Sequence, residues 1–215
     1  MDMNDEGEVA RIPDAPWHLQ GAACLSLWRL PRGELGMLAP HPDLPLLTLG
    51  ESVVVITIWA QYSGGTLRYD ELAAAVLVRG RGLWLPAGSV TAIWVDDAVS
   101  AEGGRRLWHI PKALAEFDRF AVDKEFAGKM RIDGRQVAAL RFQPGRSIPG
   151  RPGVSGFVIQ PGRGGPLRTR CRVQGSLCIG TAEWVFDSTG PLAVLHGRKP
   201  LLSLGVHEME ASFGV

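Results

Sequence analysis

Lysine is scarce in this chain. Of 23 basic residues, only four are lysine (Lys112, Lys124, Lys129 and Lys199), and the rest are arginine. Cysteine is nearly as rare. Cys24, Cys171 and Cys178 are odd in number and lack metal-type spacing, which argues against a disulfide framework or a cysteine metal site. They are expected as reduced, buried residues in strands, which points to the cytoplasm. Long apolar runs are absent too. The longest, Val53 to Ala60, falls far short of the roughly 20 residues a spanning helix needs, so no membrane association is expected. Net charge is only +1, so no global attraction draws the chain to nucleic acid or an anionic surface. Arg-Gly segments such as Arg163-Gly164-Gly165 have no interleaved aromatics to stack on bases. The start, Met1 to Glu8, is acidic and lacks the basic-then-apolar order of a signal peptide. Residues 1–15 therefore read as a disordered or extended lead, and 16–215 as a single domain.

What is present is mostly β pattern. Segments 22–29, 52–61, 67–78, 90–95, 136–142, 156–159, 168–186 (as two strands) and 202–213 are rich in branched or aromatic residues and bounded by turn formers. Val53-Val54-Val55-Ile56 is apolar at consecutive positions, so both faces of that strand should be covered, as in a barrel or stacked sheets. One helix is expected from Asp96-Asp97, whose carboxylates suit the positive helix end, to about Leu107. Gly103-Gly104 weakens its last turns but permits a close approach by another backbone or a ligand. Residues 144–166 carry Gly or Pro at 12 of 23 positions and are expected to form a long surface loop, either a lid over a site or solvated chain without function.

Against this background, Trp108-His109-Ile110-Pro111-Lys112 stands out. A chain that uses arginine for charge keeps a primary amine in an apolar stretch. Arginine does not lose its proton in a protein, whereas a buried lysine can, and only the neutral amine attacks a carbonyl. The local sequence alone favours a lysine at a strand start with its ammonium in water.

The wider pattern distinguishes these readings. Gly104-Arg105-x-Leu107-Trp108-x-x-Pro111-Lys112-x-Leu114-Ala115 resembles the Gly-Arg-Glu-x-Trp-Gly-Phe-Pro-Lys-Lys-Leu segment of the acetoacetate decarboxylase superfamily. Tyr69-Asp70-Glu71 is similar to its Tyr-x-Glu element. Trp184 with Gly190-Pro191-Leu192 resembles its Trp-x-Gly-Pro-x-x-Leu stretch, and Pro16-Trp17-x-Leu19-x-Gly21 the opening of its shorter members. The resemblance implies a mostly β (α+β) fold, with antiparallel sheets around a closed or partly closed β-barrel and few helices. It further implies a homo-oligomer and a lysine, here Lys112, whose pKa is lowered from about 10.4 towards neutrality so that it forms an imine with a ketone. In a β-keto acid, that imine accepts the electron pair of the breaking bond to the carboxylate. No metal or organic cofactor is needed.

Strand alternation places Glu71 on one face with Tyr69, Ala73, Ala75 and Leu77. The carboxyl can shuttle a proton or pair with an arginine on a neighbouring strand. Trp108, His109 and Ile110 are expected to line the approach to Lys112, with His109 either narrowing the pocket or acting as an acid-base group. Arg105 and Arg29 can receive a substrate carboxylate, or form ordinary ion pairs. His18, His41, His196 and His207 show no ligand spacing and are read as structural.

The departures are informative. Ala113 replaces the family's second lysine, and Arg106 replaces an acidic residue. A family glutamate falls near Val55 or Ile56, and an early substrate-binding arginine near Gln20 or Gly21. The expected substrate is therefore a small or medium β-keto acid or related keto compound other than acetoacetate. Two further readings stand: aldolase- or dehydratase-type imine chemistry, and a non-catalytic descendant that binds an apolar ligand.

Overall fold

In the computed structural model, residues 11–80, 87–122 and 125–215 are described, and nearly all of their regular structure is strand. In chain order these are β1 (Trp17–Pro31), β2 (Thr48–Leu49), β3 (Ser52–Gly65), β4 (Tyr69–Val78), β5 (Ala87–Val95), helix α1 (Ala98–Trp108), β6 (Lys112–Leu114), β7 (Glu116–Val122), β8 (Glu125–Ile132), β9 (Arg135–Ile148), β10 (Gly153–Gln160), β11 (Leu167–Phe186) and β12 (Leu202–Phe213).

The strands form one hydrogen-bonded system in the order β10-β5-β4-β3-β1-β12-β11-β9-β8-β7, and β10 also pairs with β11. The first seven therefore return to their start and close into a barrel, as expected. Its seam is thin. Val158 and Gly88 form a single parallel bridge between β10 and β5. Gln160 reinforces it, with its amide donating to the Val90 carbonyl at 2.8 Å and accepting from the Ser89 hydroxyl at 2.9 Å.

Alternation divides β4 cleanly. Leu72, Ala74, Val76 and Val78 join the main core with Trp28, Trp59, Met130 and Phe142, where the ring packs on the β7–β9 layer. Tyr69 belongs to a second cluster inside the ring, with Tyr62, Ala60, Val95 and Ala101. In the main core Trp28 donates to the Thr57 hydroxyl and Trp184 to that of Ser26, both at 2.9 Å, so neither buried indole N–H lacks an acceptor.

Two expectations need correction. Residues 144–166 are not one long loop. β9 continues through Pro144 and Gly145 to Ile148, and β10 pairs with β11 from Gly153↔Gln174 to Gln160↔Leu167. Their cross-strand partners, which local composition does not reveal, hold these glycines in extended form. Residues 168–186 belong to one 20-residue strand rather than two. Its first half pairs with β10 and its second with β9, and it bulges between Gln174 and Ser176 against β12. The β7–β8 hairpin and short β6 were not anticipated. Of the expected lead, residues 1–10 lie outside the described residues. Ile12 packs against the cluster of Trp17 and Trp108, and the Pro13 carbonyl accepts from the Trp17 indole at 3.0 Å.

Candidate active site

Lys112 begins β6, which runs parallel to the end of β5 with Ile93↔Lys112 and Val95↔Leu114 in register. Helix α1 connects the two. Asp97 caps it, accepting from the Ser100 amide at 2.5 Å, and its last turn ends at His109 in the left-handed region (φ 55°). The helix crosses the lysine at its glycines. A methyl group on Gly104 would stand 2.7 Å from Lys112 Cδ, while one on Gly103 would stand 2.5 Å from the Trp17 ring. The expected close approach is therefore made by side chains rather than a backbone. Arg105 completes the arrangement by donating from Nη1 to the Lys112 carbonyl at 2.6 Å and pairing with Glu102 at 2.7 Å.

The Lys112 side chain is only 5 % exposed, yet all its donors are used. Nζ donates to Glu71 Oε2 at 2.8 Å, to the Ser100 hydroxyl at 2.9 Å and to the Tyr69 hydroxyl at 3.2 Å. An ammonium has three protons, and three oxygens face it. Tyr69 and Glu71 sit two residues apart on β4, as alternation requires. Tyr62, the cross-strand partner of Tyr69, places its ring centroid 4.7 Å from that of Tyr69. Both hydroxyls interact with Glu71. Burial, and then the Glu71 charge, push both phenols well above their ordinary pKa, so they remain protonated donors near the carboxylate.

Of the residues singled out in the sequence, Lys112, Glu71 and Tyr69 meet at one point. Trp108 packs edge-on against Trp17 and Phe213 at 4.7 and 4.8 Å, anchoring the helix end. Ile110 is buried in the same cluster. His109 is exposed and bonds the Pro161 carbonyl through Nδ1 at 3.0 Å. Arg105 is occupied by the Lys112 backbone and Glu102. Ser100 and Tyr62 were missed. Ser100 was detectable because it stands four residues before Gly104 on the same helix face. Tyr62 is one of only two tyrosines, and a short hairpin separates it from the other.

The fold and site thus define a β-barrel protein with a buried lysine–carboxylate centre at one end of its lumen, and no group of metal-ligating side chains occurs among the described residues. The acetoacetate decarboxylase (ADC) family model matches residues 41–167, more than half of the chain, and the chain belongs to that family. Solved structures agree in fold. The acetoacetate decarboxylase from Legionella pneumophila subsp. pneumophila str. Philadelphia 1 is similar at TM-score 0.67 and 18 % identity, over 93 % of this chain and 85 % of that one. The enduracididine biosynthesis enzyme MppR, with HEPES bound, matches at 0.66 and 18 %, over 97 % and 89 %. An acetoacetate decarboxylase-like enzyme from Sphingomonas wittichii RW1 matches at 0.62 and 14 %, over 94 % and 91 %. No match is found among curated protein sequences.

Proposed function

We propose that this protein is a cofactor-independent, imine-forming lyase acting on a keto compound, with Lys112 as nucleophile and Glu71 as its proton partner. The observation that carries this reading is the buried Lys112 amine, hydrogen-bonded to Glu71 at 2.8 Å inside the barrel. Glu71 is placed to accept the ammonium proton, which frees the nitrogen lone pair to attack the carbonyl carbon. The carbinolamine oxygen then leaves as water, protonated from Glu71, and a protonated imine remains. With a β-keto acid, the electrons of the carboxylate C–C bond move into the imine, carbon dioxide departs and an enamine forms. Protonation at carbon and hydrolysis release the ketone and restore the amine. Tyr62 and Tyr69 hold the Glu71 carboxyl group in place between the two proton transfers.

A second reading, aldol-type chemistry through the same imine, is favoured by one comparison. MppR, at 18 % identity, has been solved with pyruvate and with the condensation product of pyruvate and imidazole 4-carboxaldehyde. Borohydride reduction with candidate carbonyl compounds, followed by peptide mapping, tests the imine. The adduct is expected on Lys112, and labelling of Lys124, Lys129 or Lys199 alone would overturn the assignment. Carbon dioxide release from β-keto acids, set against cleavage of β-hydroxy ketones, separates the two chemistries. The free cysteines fit a reducing compartment, so we place the enzyme in the cytoplasm. We further propose a homo-oligomer with no membrane or nucleic-acid partner, which sedimentation would test.

A further inference from the structure

The face of β4 that carries Glu71 does not end at the amine. In the antiparallel register, Ala73, Ile58, Leu25 and Leu204 form the next row across four strands, and Ala75, Ile56, Leu27 and Leu202 the row beyond. Burial falls along this track. In the Glu71 row Ala60, Ala23 and Val206 are buried, whereas the two outer rows are buried only at Ala73 and Ala75, half-buried at Ile58, Leu25, Leu204, Ile56 and Leu27, and 36 % exposed at Leu202. Every side chain in the two outer rows is apolar. The first charged residue farther along that face of β1 is Arg29, six residues beyond Ala23 and therefore about 20 Å along the strand.

A short keto acid gains nothing from such a surface. We propose that the two rows form a binding track for an apolar chain, so that the substrate is a carbonyl compound bearing a medium-length alkyl or aryl substituent. The carbonyl lies at Lys112 Nζ, and the chain runs over Ile58, Leu25 and Leu204 towards Ile56, Leu27 and Leu202. This substrate class rests on the imine-forming reading above. The chain could belong to a ketone or to a β-keto acid.

The test separates the track from the imine. Alkan-2-ols from propan-2-ol to undecan-2-ol carry the chain but cannot form an imine. Calorimetric titration should show affinity rising about fourfold per methylene over several carbons, as expected for burying a CH₂ group. Ile56→Glu and Leu27→Ser, each verified as folded by circular dichroism, should abolish the rise. Matched alkan-2-ones are reduced onto the protein in parallel. A rising alcohol series without adduct on Lys112 keeps the track and sinks the imine. A flat series with acetone trapped as efficiently as undecan-2-one keeps the imine and overturns the track. A flat series in a protein that Ile56→Glu converts from dimer to monomer would show that this face meets a second copy, which also overturns it. Faster carbon dioxide release from 3-oxodecanoate than from acetoacetate identifies the β-keto acid as the source of the chain. Trapping of alkan-2-ones with no release from either acid identifies the ketone.

Discussion

Gly104 faces the stem of Lys112 so closely that no side chain fits between them. A methyl group on Gly104 would lie 2.7 Å from Cδ, 3.0 Å from Cε and 3.1 Å from Cγ of Lys112. A glycine that weakens a helix by about 1 kcal/mol relative to alanine is thus the residue that gives the Lys112 side chain its course. The adjoining Arg105 holds the Lys112 carbonyl from the same helical turn. The Gly-Arg pair positions the lysine twice, once by leaving space and once by donating a hydrogen bond.

Gly104→Ala should therefore injure the chemistry more than the fold. The clash is with the lysine stem, and displacing the amine by about 1 Å from Glu71 should cost on the order of 10²-fold in kcat. Gly103→Ala meets the Trp17 ring instead and should lower stability by about 1–3 kcal/mol. Turnover and thermal melts of both variants check the contrast, and an equal effect of the two on kcat would refute it.

Removing one partner of the buried pair should be worse for the fold than removing both. Lys112→Met leaves the Glu71 carboxylate buried without its cation and should cost about 3–5 kcal/mol. The double variant Lys112→Met/Glu71→Gln should recover most of that while remaining inactive. Glu71→Gln alone should reduce kcat by about 10²–10⁴-fold, since the amide cannot exchange a proton. Denaturant unfolding completes the cycle. Additive single effects would show that the pair is uncoupled.

Both tyrosines of the chain sit at Glu71, and both have raised pKa values. The folded protein should show no tyrosinate absorbance near 295 nm at the ordinary phenol pKa of about 10. The signal should appear only at higher pH, together with unfolding. The sign follows from linkage: the folded state retains protons that the unfolded state has released, so stability falls as pH rises above about 10. A reversible tyrosine titration near pH 10 in folded protein would contradict the buried site.

Asp70 offers a second pH test at the back of the site. It is 3 % exposed, Arg119 binds its Oδ2 at 2.6 Å, and its Oδ1 is buried without a hydrogen-bond partner. Burial, partly offset by Arg119, raises its pKa above 3.8. The folded state therefore binds this proton more tightly than the unfolded chain does. Asp70 favours folding most below about pH 3.8, and that contribution is lost as pH rises through the folded-state pKa. Asp70→Asn should gain relative to wild type as pH rises from 4 to 7, because the buried carboxylate that must ionise over that range is gone. Urea unfolding at the two pH values measures this. A relative loss over that range would reverse the assignment.

Several features were determined by the chain's own local pattern. Alternation along β4 separated Glu71 and Tyr69 from Leu72 and Ala74 before any partner strand was known, because successive side chains on a strand must point to opposite faces. Asp97 marked the start of α1, because free amides at a helix end need an acceptor nearby. The scarcity of lysine singled out Lys112. Other features depended on tertiary structure. That β9 continues through Pro144 and Gly145, and that β11 is unbroken, depends on pairing with residues far along the chain, which local composition hides. The convergence of Ser100 and Tyr62 on the lysine and Glu71 depends on how α1 and the β3–β4 hairpin pack. Local sterics act over a few residues and can be read from neighbours, whereas barrel closure and site assembly are decided by long-range register, whose energy appears only when the strands meet.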